Sequence, residues 1–421
     1  MSLPCPIVAT SMDIVDLLKR QRPGYSLTQE MYLDADVFEE ELRLLWHREW
    51  VFVGHECELD APGRFLTVFV GRFPLIIVRG TDGVIRALHN VCRHRGFVLC
   101  DQASGSVSRR FVCPYHQWSY GLDGAFARAR EMPAADPAEL GLAEAHCVAI
   151  GGLVYACVGE VAPPVDELRA MVEPYLAPFD LGRAVVAHRS TVIERGNWKL
   201  VWENNRECYH CRTHHPELCV SFSSEPLHSG GGSSSGVARL QTFVDDCENR
   251  GVSAAFRAAS DWQYRIMRMS FDADAESMTF DGRAAVAKRF SGLPNGNVGD
   301  VLWYHYPSTW NHFVADHAVT FRVRPITSTD TELTTTWLVP EGSVEGRDYD
   351  LAALTHVWMA TNSQDTALVE RTQLGVASPA YQPGPYAPIE EEGVIQFGEW
   401  YRHRLQANQR GSASPAIIVT A

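Results

Sequence analysis

Two short stretches pair a cysteine with a histidine: Cys92-Arg93-His94 and, after eighteen intervening residues, Cys113-Pro114-Tyr115-His116. Two thiolates and two imidazoles make a full set of four soft to borderline metal donors. In a zinc finger the cysteines form one pair and the histidines another. Here each segment carries one of each, which suits a two-iron cluster whose first iron takes both thiolates and whose second takes both imidazoles. A mixed zinc site is the competing reading of the ligand types. Cys100 lies between the two segments without a partner in the pattern and is read as structural.

A second constellation occupies NWKLVWENNRECYHCRTHHPEL, from Asn197 to Leu218. Glu207 and His210 are spaced to share a helical face. His215 precedes Pro216, which disfavours the helical conformation, so the helix should end there and let the second imidazole swing round. Two histidines and one carboxylate on one side of a non-haem iron leave positions open for dioxygen and substrate. A ligand carboxylate is expected far down the chain. Asp365 is the candidate, because it continues the buried stripe of a helix, where a metal would compensate its charge. His214 competes with His215, but only His215 has the spacing and the following proline. Cys208-x-x-Cys211 has the spacing of a redox or zinc pair. It is read as structural, since it straddles His210 on a helix where a ligating cysteine would disturb the iron site.

The elements that must position these residues follow from the wider sequence. The chain has 421 residues, 46% of them hydrophobic, 11 Cys, 16 His and a formal charge of −14. That length fits two to three domains at about 150 residues each. The acidic balance provides no field for a phosphate backbone, so nucleic acid is not an expected partner. No stretch reaches the ~18 apolar residues of a membrane span. The N-terminal basic residues follow the apolar part instead of preceding it, so the chain reads as soluble and cytoplasmic. Cysteines spaced with histidines favour metals and structural thiols over a disulfide framework.

From Arg48 to Asn90, runs such as WVFVGH, RFLTVFVG and PLIIVRG alternate with turn residues, giving a small antiparallel β domain that ends with GGLVYACVG. VAPPVDE reads as a linker. Ala318 to Pro325 and Thr331 to Pro340 read as paired strands of a second antiparallel sheet. Between Tyr349 and Thr372, Leu351, Leu354, Trp358, Thr361, Asp365, Leu368 and Thr372 mark one face of a long helix that closes the second domain. The Gly/Ser-rich run Ser229 to Gly236 reads as a surface loop. The division is 1–45 as an N-terminal helical segment packing on the catalytic domain, 46–160 as the β domain and 161–421 as the catalytic domain.

With NVCRHRG and CPYHQWSY the first constellation resembles the Rieske oxygenases, with the intervening loop about a residue longer than usual. N-W-K, an acid, Y-H and H-P in the second match the same family. The resemblance implies an α+β fold: an all-β Rieske [2Fe–2S] domain plus a catalytic domain whose antiparallel sheet wraps a long C-terminal helix, of helix-grip type. It implies that Cys92, His94, Cys113 and His116 hold the cluster and that His210, His215 and Asp365 hold a mononuclear Fe(II). Glu207 corresponds to the family's bridging acid, usually Asp, between the iron and the cluster of a neighbouring subunit, and Asn204 to a residue beside the iron. The same likeness implies electrons from NAD(P)H through a separate flavin and iron–sulfur reductase, dioxygen as co-substrate, and a homotrimer. Arg93, Arg95, Arg109 and Arg110 flank the cluster loops and offer a docking patch for an acidic reductase, if they are not simply solvated.

NNRECYHC with HPEL, STWNHFVADH, WLVPEGSVEGRDYD and AYQPGPY resemble the branch acting on quaternary ammonium betaines. The activity this implies is oxidative N-demethylation with release of formaldehyde, by a monooxygenase whose first-choice substrate is proline betaine (stachydrine). Glycine betaine and carnitine are alternatives, and an aromatic ring is a more distant one. A quaternary ammonium donates no hydrogen bond and is best held by aromatic faces. Trp303, Tyr304, Tyr306, Trp310 and Phe313 are candidates for such a cage, against the plainer reading that they are strand core.

Overall fold

A computed structural model describes residues 14–130, 136–222, 234–271 and 274–410. The chain opens with α1 (Ile14–Arg20), α2 (Gln29–Leu33) and α3 (Ala35–Glu41), the last running into a π-helical turn over Leu42–Trp46. Asp34 starts α3 by accepting hydrogen bonds from the amides of Asp36 and Val37.

Ten strands follow: β1 (Val51–His55), β2 (Arg64–Val70), β3 (Phe73–Arg79), β4 (Ile85–His89), β5 (Ser104–Ser106), β6 (Arg110–Val112), β7 (Ser119–Gly121), β8 (Phe126–Arg128), β9 (Glu144–Ile150) and β10 (Leu153–Cys157). Seven form one antiparallel sheet in the order β1-β10-β9-β4-β3-β2-β5, and β6-β7-β8 make a small sheet of their own. The first cluster segment follows β4 and the second joins β6 to β7, so each sits on a loop between short strands. Leu75, Ile76, Ile77 and Val78 are all buried, so β3 is covered on both faces and fixes the sheet that carries the loops.

Past the Pro-rich linker, α4 (Asp166–Leu176) leads into β11 (Val185–Glu194), α5 (Trp198–Asn205), α6 (Cys211–His214) and α7 (Ser234–Asn249). Then come β12 (Arg257–Ala258), β13 (Tyr264–Met269), β14 (Asp300–His305), β15 (Thr309–Phe313), β16 (Ala318–Pro325), β17 (Thr331–Val339), α8 (Leu351–Val376) and α9 (Glu392–Arg410). The strands pair antiparallel in the order β11-β17-β16-β15-β14-β13-β12. β16 and β17 fall where the sequence puts them, in register from Ala318 opposite Leu338 to Pro325 opposite Thr331. Most of the Gly/Ser-rich run lies outside the described residues, and its end, Ser234 to Gly236, already belongs to α7.

α8 lies against the sheet, with Asn362 donating to Thr335 Oγ1 on β17 at 2.8 Å and the Trp358 ring packing on Phe321 of β16. Its buried face agrees with the expected stripe through Thr361. Beyond Asp365 it passes through Val369, Gln373 and Val376, not Leu368 and Thr372, because a 3.6-residue turn drifts across a fixed stripe. Nor does α8 close the chain. α9 follows and buries Val394, Phe397, Trp400, Tyr401 and Leu405 against α5 and the N-terminal turn. A buried knot joins the three: Glu41 accepts from Lys199 Nζ at 2.6 Å, Trp198 Nε1 at 2.8 Å and the Tyr401 hydroxyl. The N-terminal segment is thereby bonded to the catalytic domain. Among the described residues no helix is long and apolar enough to cross a membrane.

Candidate metal centres and active site

The loop after β4 and the loop between β6 and β7 bring the four cluster residues together. Cys92 and Cys113 are buried and not disulfide-bonded, whereas His94 and His116 are exposed. The His94 and His116 rings meet edge to face with centroids 4.6 Å apart, and His94 stacks on Trp118 at 4.7 Å. The Tyr120 hydroxyl lies 3.2 Å from the Cys92 sulfur and accepts from the Arg93 amide. Gln117, next to His116, is held at a φ of 63°, a strained backbone for a side-chain-bearing residue and of the kind that clusters at functional sites. Asn90 ties the limbs of the first loop, its side chain bonding both the amide and the carbonyl of Cys100. Sulfur donors inside and imidazoles at the rim fit a Rieske cluster, and Cys100 bonds Asn90 through its backbone and packs against the core beside them.

The second centre departs locally from the expected helix. α5 stops at Asn205, and Glu207 to His210 form a turn. Glu207 itself explains this, since its Oε2 accepts from the amides of Tyr209 and His210 and so offers the backbone an alternative to the helical ladder. Glu207 and His210 therefore meet across a turn and not along a helix. α6 ends at His214 as the following proline requires, leaving His215 outside it.

The donor atoms converge. His210 Nε2 and His215 Nε2 are 2.9 Å apart, and Asp365 Oδ1 lies 3.4 Å from the first and 3.0 Å from the second. Three ligands at right angles, each about 2.1 Å from one ion, would be about 3 Å from one another. Asp365 Oδ1 is buried and has no hydrogen-bond donor. The other nitrogen of each ring is committed elsewhere. His210 Nδ1 faces Glu207 Oε1 at 2.5 Å, and a carboxylate can only accept. His215 Nδ1 faces Gln364 Oε1 at 2.7 Å, while Gln364 Nε2 donates to Glu217. Both Nδ1 atoms therefore donate, and both Nε2 lone pairs point at the common centre. Against the cost of burial, Asp365 and Glu207 would draw a second proton onto His210 and lift it to about 9, and a bound cation would take that proton's place at Nε2. The site holds a negative potential that a divalent cation would meet. These residues fit a mononuclear iron.

His214 is exposed and bonded to Thr213, so it takes no part. Cys211 places its sulfur within 4.8 Å of the two histidines. That sulfur is bonded to Cys208 in a disulfide, which leaves the carboxylate as third ligand. The spacing of this pair was thus informative. It does not straddle His210 on a helix but closes a turn around it.

A cavity of about 510 Å³ opens on the iron donors. Asn204, expected beside the iron, lines it, and so do Glu207, Asn205, Trp358 and His312. The five aromatic candidates divide. On β14, Tyr304 and Leu302 face the cavity while Trp303 points to the opposite side of the sheet, where its Nε1 donates to the Tyr155 hydroxyl of the β domain. Phe313 is packed on that far side too. Tyr306 and Trp310 are buried around Trp202. Alternation along a strand sends neighbours to opposite faces, so a consecutive aromatic run cannot form one cage. Trp358 is the aromatic residue sequence reasoning left in the helical stripe. It shares the α8 face of Thr361 and Asp365 and tilts against His312, with ring centroids 4.6 Å apart.

The family model described as the ring hydroxylating alpha subunit catalytic domain matches residues 181–407, and the Rieske [2Fe-2S] domain model matches residues 49–146. The chain belongs to the Rieske ring-hydroxylating oxygenase alpha-subunit family. It is a non-haem iron oxidoreductase with a Rieske [2Fe–2S] cluster and a mononuclear iron, the two cofactors its donor sets fit. It is 39% identical over 411 residues to the glycine betaine monooxygenase oxygenase subunit of Pseudomonas aeruginosa (strain UCBPP-PA14), covering 97% of this chain and 95% of the relative. To the subunit of that name from Chromohalobacter salexigens it is 41% identical over 425 residues, covering 99% and 94%. The crystal structure of the quaternary ammonium Rieske monooxygenase CntA with γ-butyrobetaine superimposes with a TM-score of 0.67 at 20% identity, covering 93% of this chain and 98% of that one, a likeness of fold.

Proposed function

We propose that this chain is the oxygenase component of a system that oxidatively N-demethylates a small quaternary ammonium betaine, with proline betaine (stachydrine) as the first substrate to assay. The observation that carries the reading is the cavity wall beside the iron donors, where Trp358 and His312 offer aromatic surface to a methylated cation and apolar residues such as Met267 and Leu302 are interrupted by the charged and amide groups of Arg206, Arg265 and Gln396. Full-length similarity to glycine betaine monooxygenase oxygenase subunits supports the substrate class and makes glycine betaine the second reading. A ring dioxygenase needs an apolar pocket, and this one carries Arg206, Arg265 and Gln396.

His210, His215 and Asp365 would hold the mononuclear iron, which would supply activation of dioxygen there. The protein's own residues do the rest. Glu207 and Gln364 hold the two Nδ1 protons and so aim both imidazoles, and the cavity wall brings an N-methyl group to the donors. With one atom of dioxygen inserted into a C–H bond of that methyl and the other reduced to water by two electrons from the reductase, the product would be a carbinolamine, whose C–N bond breaks to give formaldehyde and the demethylated amine.

None of the four cluster ligands lines the iron cavity. Exposed Tyr115 packs on His116 and exposed Phe97 packs on Tyr115, leaving apolar surface beside the cluster loops, as an interface would require. Both facts support a trimer in which Glu207 stands between His210 and His116 of the partner subunit. Arg93, Arg95, Arg109 and Arg110 are exposed beside the cluster and fit an acidic reductase. Supplying reductase, NADH and dioxygen with stachydrine, glycine betaine and carnitine in parallel, and quantifying formaldehyde, tests the function. A cis-diol from a naphthalene-like ring, with no formaldehyde from any betaine, would replace it.

A further inference from the structure

Arginines withdrawn from solvent elsewhere in this chain are met by acids or by the backbone. Arg322 pairs with Glu332 and Arg404 with Glu49 and Asp261, while the buried Arg268 meets no acid and donates to two backbone carbonyls, leaving its Nη2 without a partner. Arg206, buried, and Arg265, half-buried, differ in lining one open cavity together. Arg206 is 4% exposed and donates to the Tyr306 hydroxyl and, at 3.4 Å, to Gln396 Oε1. Arg265 reaches the same Gln396 oxygen at 3.5 Å. Their guanidinium carbons lie 4.7 and 4.8 Å from the centroid of the Tyr304 ring. Two cations thus share one ring and one amide oxygen, and neither forms an ion pair with a carboxylate among the described residues. Glu390 and Glu392 line the cavity without pairing to them. Burial and the neighbouring Arg206 charge hold the Arg265 guanidinium down to about 10.

The placement is built by the fold. Arg265 stands opposite Tyr304 in the β13/β14 register and shares its strand face with Met267 and Met269, which also line the cavity. Arg206 terminates α5, one residue before Glu207, and α9 closes on it through Gly393, where a Cβ would fall 2.1 Å from the Arg206 carbonyl oxygen. Two arginines and an amide therefore line the same cavity as the iron donors, with no carboxylate among the described residues paired to either guanidinium. Unpaired buried charge is expensive unless something compensates it, and a planar fork of N–H donors matches a carboxylate.

We infer that Arg265 and Arg206 form the anchor for the carboxylate of the substrate, fixing a betaine by its acid end while its methylated nitrogen lies against Trp358 and the iron donors. This rests on the betaine reading above and goes beyond it by naming the groups that select a betaine over other quaternary amines.

The test compares wild type, Arg265→Gln and Arg265→Lys as holoenzymes, each checked for native cluster absorbance, melting temperature and iron content. Each is assayed with glycine betaine, with stachydrine and with their methyl esters, which keep the cationic head and mask the acid. Loss of a charge-assisted hydrogen bond predicts that preference for the free acid over the ester, as kcat/KM, falls about 10- to 100-fold in Arg265→Gln, mainly through KM, and less in Arg265→Lys. An unchanged acid-to-ester ratio in a folded, iron-loaded Arg265→Gln overturns the anchor while leaving the betaine reading standing. If wild type demethylates no quaternary amine, that reading falls, and calorimetric binding of pivalate decides the anchor alone. Weaker pivalate binding by Arg265→Gln than by wild type supports it, and equal or absent binding in both overturns it.

Discussion

Glu207 accepts the Nδ1 proton of His210 across 2.5 Å while the opposite nitrogen of that ring points at His215 and Asp365. One carboxylate therefore sets both the tautomer and the aim of a ring whose free nitrogen fits an iron, and it does so from a turn that its own second oxygen caps. Glu207→Gln should keep the Rieske absorbance and bound iron yet lower turnover by at least about 10- to 100-fold, the usual range for outer-shell changes. Single-turnover oxidation of the reduced cluster in the presence of substrate and dioxygen is the measurement, and a native rate would reduce Glu207 to a turn-forming acid. Glu207→Asp shortens the reach and should recover only part of the rate.

His210→Ala, His215→Ala and Asp365→Ala should each release the mononuclear iron while the cluster spectrum persists, because the two centres draw on separate domains. His214→Ala should retain iron, since its ring is exposed and bonded to Thr213. Iron analysis of the four variants gives the answer, with loss in the His214 variant alone reversing the ligand choice.

Cys92→Ser should bleach the visible bands of the cluster and leave mononuclear iron in place. The native protein should be brown, and a colourless preparation with one zinc per chain would remove the Rieske assignment.

Glu41 compensates the buried Lys199 and also accepts from Trp198 and Tyr401. Glu41→Ala leaves that ammonium unpaired and should destabilise the protein by about 3–5 kcal/mol. Denaturant melts should show it. Lys199→Met in the same background should restore part of the loss.

Burial lifts the Glu203 carboxyl to about 7, against the partial opposition of the Tyr32 hydroxyl bonded to it. Its native value exceeds the unfolded one, so its contribution to stability is complete below about 4.5 and is lost as pH rises through about 7. Glu203→Gln mimics the protonated form. Its melting temperature relative to wild type should therefore climb between pH 5.5 and 8.5, and a flat difference would count against the raised value.

Both metal sites were legible because their chemistry is written in residue type and short spacing. Cys92, His94, Cys113 and His116 need only two loops to meet, and His215 announces its position through Pro216. Asp365 could be placed because a helix period pointed it inward. The substrate end was not legible in the same way. Trp303 and Tyr304 are neighbours in sequence and go to opposite faces, a choice fixed by strand register and not by composition. Arg206 and Arg265 look like solvated charges until β13 and α9 close over them. One signal was available: in YRIMRM, Arg265 alternates with Met267 and Met269, an arginine in line with buried apolar positions. The turn at Glu207 was hidden because the sequence pattern also suits a helix, and only the carboxylate's bonds to the backbone decide between them.

β14 presents Tyr304 to the cavity and, from the next position, bonds Trp303 to Tyr155 of the β domain. The strand is thus a party wall, papered differently on each side. Substrate preference can drift by exchanging side chains on the Leu302 and Tyr304 face, while the Trp303 side keeps the wall plumb with the β domain behind it. A change that displaces the backbone itself would be felt in both rooms at once, so inherited variation in this strand should be free at one set of alternate positions and locked at the other.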